Sequence, residues 1–188
     1  MATNAENARI YGSDLDAIYL APIGTPLPEG IDDELDAAFE DIGWLSEDGI
    51  TETATGSADK KRGYQGSGVV RTIITEPGTT VSFVALEEKP MTDELRYYQK
   101  SSTTSGGVRR ATRSPGQRVS RRACVIDKYD VDDTSRKTRD IIEVLEITPN
   151  GDKVATSTDI SVYPFVGEII GDYEHLATEE PAGSEEEV

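Results

Sequence analysis

A chain of 188 residues with 36 acidic against 19 basic side chains, net charge −17, is long enough to bury a core, and most of its surface repels nucleic acid. No run of about 18 apolar residues offers a membrane span, and the first residues lack the basic and apolar regions of a signal peptide, so a soluble protein made in a cytosol is expected. The single cysteine, Cys124, excludes an intramolecular disulfide and any zinc or redox motif, and 6% aromatic content is lean enough to place much of the chain in arms or loops.

Residues 1–10 are small and polar without periodicity and read as a flexible N-terminal arm. Leu15, Ile18, Tyr19 and Leu20 then make a short strand that stops at Pro22. Pro26, Pro28 and Gly30 forbid a continuous helix or central strand. Apolar residues at Leu35, Ala38, Phe39 and Ile42 have helical spacing, with Asp32, Asp33 and Glu34 placed to suit a helix N-terminus, so a short amphipathic helix ended by Gly43 is expected. Trp44 and Leu45 should pack beside it.

From residue 50 the pattern turns to strands. Val69–Thr75 is rich in β-branched residues, Glu76-Pro77-Gly78-Thr79 reads as a turn, and Val81, Phe83 and Ala85 alternate, which predicts a hairpin. Pro90 ends that strand and Thr92 can cap a second helix over about 92–100, with Asp93 and Glu94 in its first turn and Leu95 and Tyr98 on one side. Ala123, Val125, Tyr129 and Val131 alternate, Ile141–Ile147 is strongly apolar, and Pro149-Asn150-Gly151-Asp152 signals a tight hairpin into a further strand. The expected core includes Leu35, Phe39, Trp44, Val81, Phe83, Leu95, Ile141 and Leu145. From Asp172 the chain is acidic without Lys or Arg and reads as mobile. The expected organisation is an arm at 1–10, one mainly β domain at 11–171, an antiparallel β-sandwich or barrel with one or two short helices, and an acidic, disordered tail at 172–188.

Catalytic chemistry has little to stand on. His175 is the only histidine and lies in the acidic tail, so a Ser-His-Asp or Cys-His system has no firm base. Asp130, Asp132 and Asp133 lack the glycine and the glutamate of a calcium loop. Gly63-Tyr64-Gln65-Gly66-Ser67-Gly68 lacks the Gly-Lys-Ser/Thr of a phosphate loop. No catalytic, cofactor or metal residue is assigned, and the chain does not read as an enzyme.

Charge is distributed in blocks. Residues 1–59 hold 14 acids against Arg9, residues 60–139 hold 17 basic against 9 acidic side chains, and residues 140–188 hold 13 acids against Lys153. Such a layout suits pairing an acidic face of one copy with a basic face of the next. Candidate inter-subunit contacts are Lys60, Lys61, Arg62, Arg71, Arg109, Arg110, Arg113, Arg121 and Arg122 on the basic side, with Asp32, Asp33 and Glu34 on the acidic side. Residues 100–122 contain no acid and offer an alternative, a nucleic-acid-binding loop, but no aromatic is interleaved for base stacking.

The block Ala21-Pro22-Ile23-Gly24-Thr25-Pro26, Leu35-Asp36-Ala37-Ala38-Phe39 and Ile42-Gly43-Trp44-Leu45-Ser46-Glu47-Asp48-Gly49-Ile50 resembles the N-terminal part of major tail (tail-tube) proteins of long-tailed, non-contractile bacteriophages. Thr51-Glu52, Asp59-Lys60-Lys61-Arg62 and Gly68-Val69-Val70-Arg71-Thr72 continue the same order and spacing. The resemblance is recognisable over residues 11–100 and weaker to about 170; the Arg-rich stretch and the acidic tail fall outside it. It implies a β-sandwich subunit whose inner strands join those of five neighbours in a hexameric ring around a lumen, rings stacking into a tube. It further implies assembly in the host cytoplasm around a tape-measure protein, tail terminator and distal tail proteins as further partners, DNA passing through the lumen without specific binding, and no membrane. Val69–Thr75 with Val81–Leu86 is the expected inner hairpin. Another phage structural component, a head–tail joining or capsid-decorating protein, is the chief alternative.

Overall fold

The computed structural model describes residues 8–179. Its elements in chain order are β1 (Ala17–Ala21), β2 (Glu40–Asp41), β3 (Leu45–Arg62), β4 (Val69–Ala85), α1 (Pro90–Arg96), β5 (Tyr98–Ser105), β6 (Val108–Ser114), β7 (Ser120–Tyr129), β8 (Lys137–Pro149), β9 (Tyr163–Ile169) and β10 (Tyr173–Ala177). The protein is mainly β with one short helix among the described residues, consistent with a β-sandwich. That helix is far too short to cross a membrane.

The chain divides into two compact units. Among the described residues, the first takes those up to Trp44, then Arg121–Leu145, and those from Gly171 to 179. Here β1 lies between β2 and β7, with Ile18 opposite Ile126 and Leu20 opposite Cys124, both antiparallel. Ile18, Leu20, Ile42, Cys124, Val125, Ile142 and Leu145 are essentially inaccessible and form its core. Burying side chains of this size is worth about 1.5–3 kcal/mol each. Burial also pushes the Cys124 thiol pKa up, which leaves it an inert core residue.

The second unit takes Leu45–Ser120 and Glu146–Ile170. β4 is flanked by β3 and β9, and Phe83 faces Phe165 both in register and in a tilted ring contact at 5.6 Å. Val81, Phe83, Ala85, Leu95, Ile147, Tyr163 and Phe165 fill this core. β5 and β6 form a separate two-stranded sheet turned by Gly106 and Gly107, whose φ values of 57° and 76° are those a two-residue hairpin turn requires.

Several expectations need correction. No helix forms over 32–42; its acids instead accept hydrogen bonds from nearby backbone, Asp33 from Glu29 and Gly30, Asp36 from Ala38, and Asp41 from Gly43. Short carboxylates that capture local N–H groups in this way compete with the helix ladder. Leu35 and Phe39 are accordingly only half-buried and Trp44 is 75% exposed, outside the core expected for them. Glu76-Pro77-Gly78 is not a turn. Thr55 pairs with Gly78 and Ser57 with Thr75, so β4 carries one extra residue there, a bulge with Glu76 at φ 54°. A bulge is where a strand accommodates a proline that has no N–H to give the ladder. The expected hairpin of Val69–Thr75 with Val81–Leu86 is therefore one continuous strand paired with β3.

The second helix spans Pro90–Arg96 instead of about 92–100, and Tyr98 already opens β5; Thr92, inside the first turn, accepts a hydrogen bond from the Lys89 N–H. Asn150-Gly151 opens a longer loop that runs to β9 instead of a tight hairpin. The beginning of the acidic tail is ordered as β10, His175 pairing opposite Asp140 and Leu176 opposite Arg139 on β8. The Thr178 hydroxyl donates to the Lys137 carbonyl, and Arg9, from the expected arm, donates to the Thr178 carbonyl. Residues 1–7 of that arm and 180–188 of that tail lie outside the described residues.

Candidate assembly surface

β9 backs β4 only from Thr80 to Ala85. Beyond that point Ala54–Arg62 and Val69–Thr79 continue as a two-stranded ribbon, about 30 Å long at 3.3 Å per residue. From Thr51 to Pro77 every residue except Gly63 is exposed. A lone two-stranded hairpin is marginal in water, because it has no third strand or packed face to offset its ordering cost.

The ribbon has two different faces. On one, Gly56 and Gly63 leave bare backbone: a Cβ built on them would lie 2.9 Å from Cγ2 of Ile74 and 3.0 Å from Cγ2 of Val70. Ala58, opposite Ile74, and Lys60, opposite Thr72, share that face, where Val70 and Ile74 remain 74% and 57% exposed. On the other, Asp59 sits opposite Ile73 and Lys61 opposite Arg71, with Lys61 pairing with Asp59. Lys60, Lys61, Arg62 and Arg71 thus gather at the distal end, where Arg62 donates to the Ser67 carbonyl and Tyr64 projects fully into solvent.

The β5–β6 hairpin is basic for a different reason. Asp93, 2% exposed on α1, accepts from both Arg109 and Arg113 on β6. Arg113 also lies 3.8 Å above the Tyr97 ring, and Arg118 stands over Tyr98. Arg109 and Arg113 therefore hold the hairpin to its own helix. Lys100 and Arg110 are exposed; Arg121 is exposed and Arg122 half-buried at the start of β7.

On the acidic side, Asp32 forms an ion pair with Lys137 at 2.7 Å, which holds its carboxyl pKa below the usual value, and Asp33 is engaged by backbone. Glu34 is exposed. Arg139 on β8 grips Asp127 with two nitrogens at 2.7 and 2.8 Å and donates to the carbonyls of Gly30 and Asp33, which fixes the loop that carries these acids. Neither this clamp nor the Asp93 clamp has a local signal in the sequence, since each joins residues 12 or more positions apart. Among the described residues no group of three His, Cys, Asp or Glu is placed to hold a metal ion.

The arrangement is one of unsatisfied strand edges, exposed aliphatics and a charged tip, which is the chemistry of association. A search of curated proteins finds no match. The family model for the phage tail tube protein matches residues 1–169, about nine-tenths of the chain. The chain belongs to the phage tail tube protein family, a structural component of the virion tail.

Proposed function

We propose that the protein polymerises as hexameric rings that stack into the tail tube, forming the conduit for DNA ejection. The observation that carries this reading is the ribbon of Ala54–Arg62 and Val69–Thr79, two strands with both faces and both outer edges turned to solvent. Open edges invite strand pairing, and a head-to-tail contact whose rotation closes makes a ring. Neighbouring copies would complete the ribbon's sheet, with the faces carrying Val70 and Ile74 supplying the apolar contact. The net charge of −17 suits a lumen that lets DNA slide without adhering. The tape-measure protein would set tube length, with tail terminator and distal tail proteins at the two ends, and assembly would take place in the host cytoplasm. The role is structural, without catalysis.

The test is a trimmed chain in which residues 59–73 are replaced by Asn-Gly, which joins the paired Ala58 and Ile74 through a two-residue turn and keeps the register of β3 and β4 next to β9. It should retain its circular dichroism and unfolding transition and form no tubes or rings at concentrations where the full chain does. Tubes from the trimmed chain would refute the ribbon's part in assembly.

A further inference from the structure

The first unit contains a groove of about 550 Å³ whose apolar lining includes Leu27, Ile141 and Tyr173. Its rim carries four carboxylates, Glu29, Glu143, Asp172 and Glu174, and no basic side chain. The topology explains the clustering: Glu174 pairs opposite Ile141 and Tyr173 opposite Ile142, so the start of β10, with Asp172 just before it, runs past the part of β8 that carries Glu143. Like charges placed across neighbouring strands repel, and a cationic occupant relieves that repulsion. Asp172, Tyr173 and Glu174, at the start of the C-terminal strand, lie beyond the residues matched by the family model.

We infer that this groove receives the distal end of the β3–β4 ribbon of a second copy. The inference rests on the polymerising function proposed above and names the surface that one contact uses. The two parts match in three ways. The ribbon end presents Lys60, Lys61, Arg62 and Arg71 with Asp59 as its one acid, a net of +3 against four carboxylates. Tyr64 is fully exposed at the end of the ribbon, a large ring for a groove with an apolar floor. The ribbon also projects far enough from its own sheet to enter a recess of another molecule. Complementary fields of this size set register and approach rate before contact is made.

The test is disulfide trapping between two different full-length variants, Tyr64→Cys and Leu27→Cys, mixed at equal concentration, with Tyr64→Cys plus Val154→Cys as the control pair. Val154 is exposed and lies outside the groove, while the native Cys124 is buried. A disulfide heterodimer forming at least tenfold faster in the first mixture than in the control is expected. In parallel, Glu29→Lys with Glu174→Lys should abolish assembly seen by electron microscopy, and adding Lys60→Glu with Lys61→Glu to the same chain should restore it. Trapping no faster than the control, while the wild-type chain still forms tubes, overturns the groove assignment and leaves the tube reading standing. Neither trapping nor tubes removes both. Charge reversals that fail to rescue one another also overturn the assignment.

Discussion

Removing Arg139 should be among the most damaging single changes in the first unit. Its side chain and that of Asp127 are 6% and 5% exposed, and they meet through two hydrogen bonds of 2.7 and 2.8 Å. Arg139→Met strands a carboxylate in the interior and leaves the Gly30 and Asp33 carbonyls without their donor. Breaking such a pair from one side costs about 3–5 kcal/mol. At roughly 2–4 °C per kcal/mol for a chain of this length, Tm should fall by about 6–20 °C. Asp127→Leu should cost somewhat less, because the guanidinium keeps its two carbonyl partners. The double variant removes both charges and should lose only the loop contacts, about 2–4 kcal/mol given the strength of hydrogen bonds to charged groups. The two changes should thus couple by about 3 kcal/mol or more in a double-mutant cycle. Thermal and urea unfolding followed by circular dichroism read these values. Cleavage within residues 29–41 by a Glu- or Asp-directed protease reads release of the loop. Single variants that shift Tm by less than about 3 °C, or a double variant whose loss equals the sum of the singles, would refute the reasoning.

Three further changes test other parts of the structure. Asp93→Asn should weaken the β5–β6 hairpin by about 2–3 kcal/mol, because Arg109 is largely covered while Arg113 is 41% exposed and counts for less; Arg113→Ala alone should cost about 1 kcal/mol in the same unfolding assay, and equal losses would contradict the ranking. Gly107→Val should destabilise by about 1–2 kcal/mol at its φ of 76°, while Gly107→Asn is tolerated; a valine variant as stable as the asparagine one would contradict the turn. Burial raises the Asp16 pKa against the Tyr129 N–H that it accepts, so its stabilising contribution is present below the unfolded carboxyl value and is lost as pH rises through the folded value. The Tm difference between wild type and Asp16→Asn should therefore move against the wild type between about pH 3 and pH 7; a difference moving the other way would show the wrong sign.

Legibility in the sequence followed the range of the interactions involved. Val81, Phe83 and Ala85 alternate because their strand has one buried face, and a period of two needs no knowledge of partners. The glycine pair at 106–107 marks a tight hairpin, but the Ser, Thr and Arg on either side of it give no apolar alternation to show the two strands. Helical spacing at Leu35, Ala38, Phe39 and Ile42 was misleading, since Asp33, Asp36 and Asp41 bind local backbone and Arg139, more than a hundred residues away, holds the carbonyls of Gly30 and Asp33. Pro77 signalled an interruption, but whether it made a turn or a bulge depended on β3 lying alongside. β10 was illegible because its acids suggest a solvated tail, whereas its strand forms on the open edge that β8 provides. For the assembly surface, the basic tip at Lys60, Lys61, Arg62 and Arg71 was visible in composition. The ribbon's length and its two exposed faces needed the register.

Whether this chain builds a tube is read by negative-stain electron microscopy of the purified full-length protein over a concentration and salt series. Hollow tubes or stacked rings that lengthen with concentration are expected. Dispersed single particles under every condition, or closed rings that never stack, would contradict that expectation.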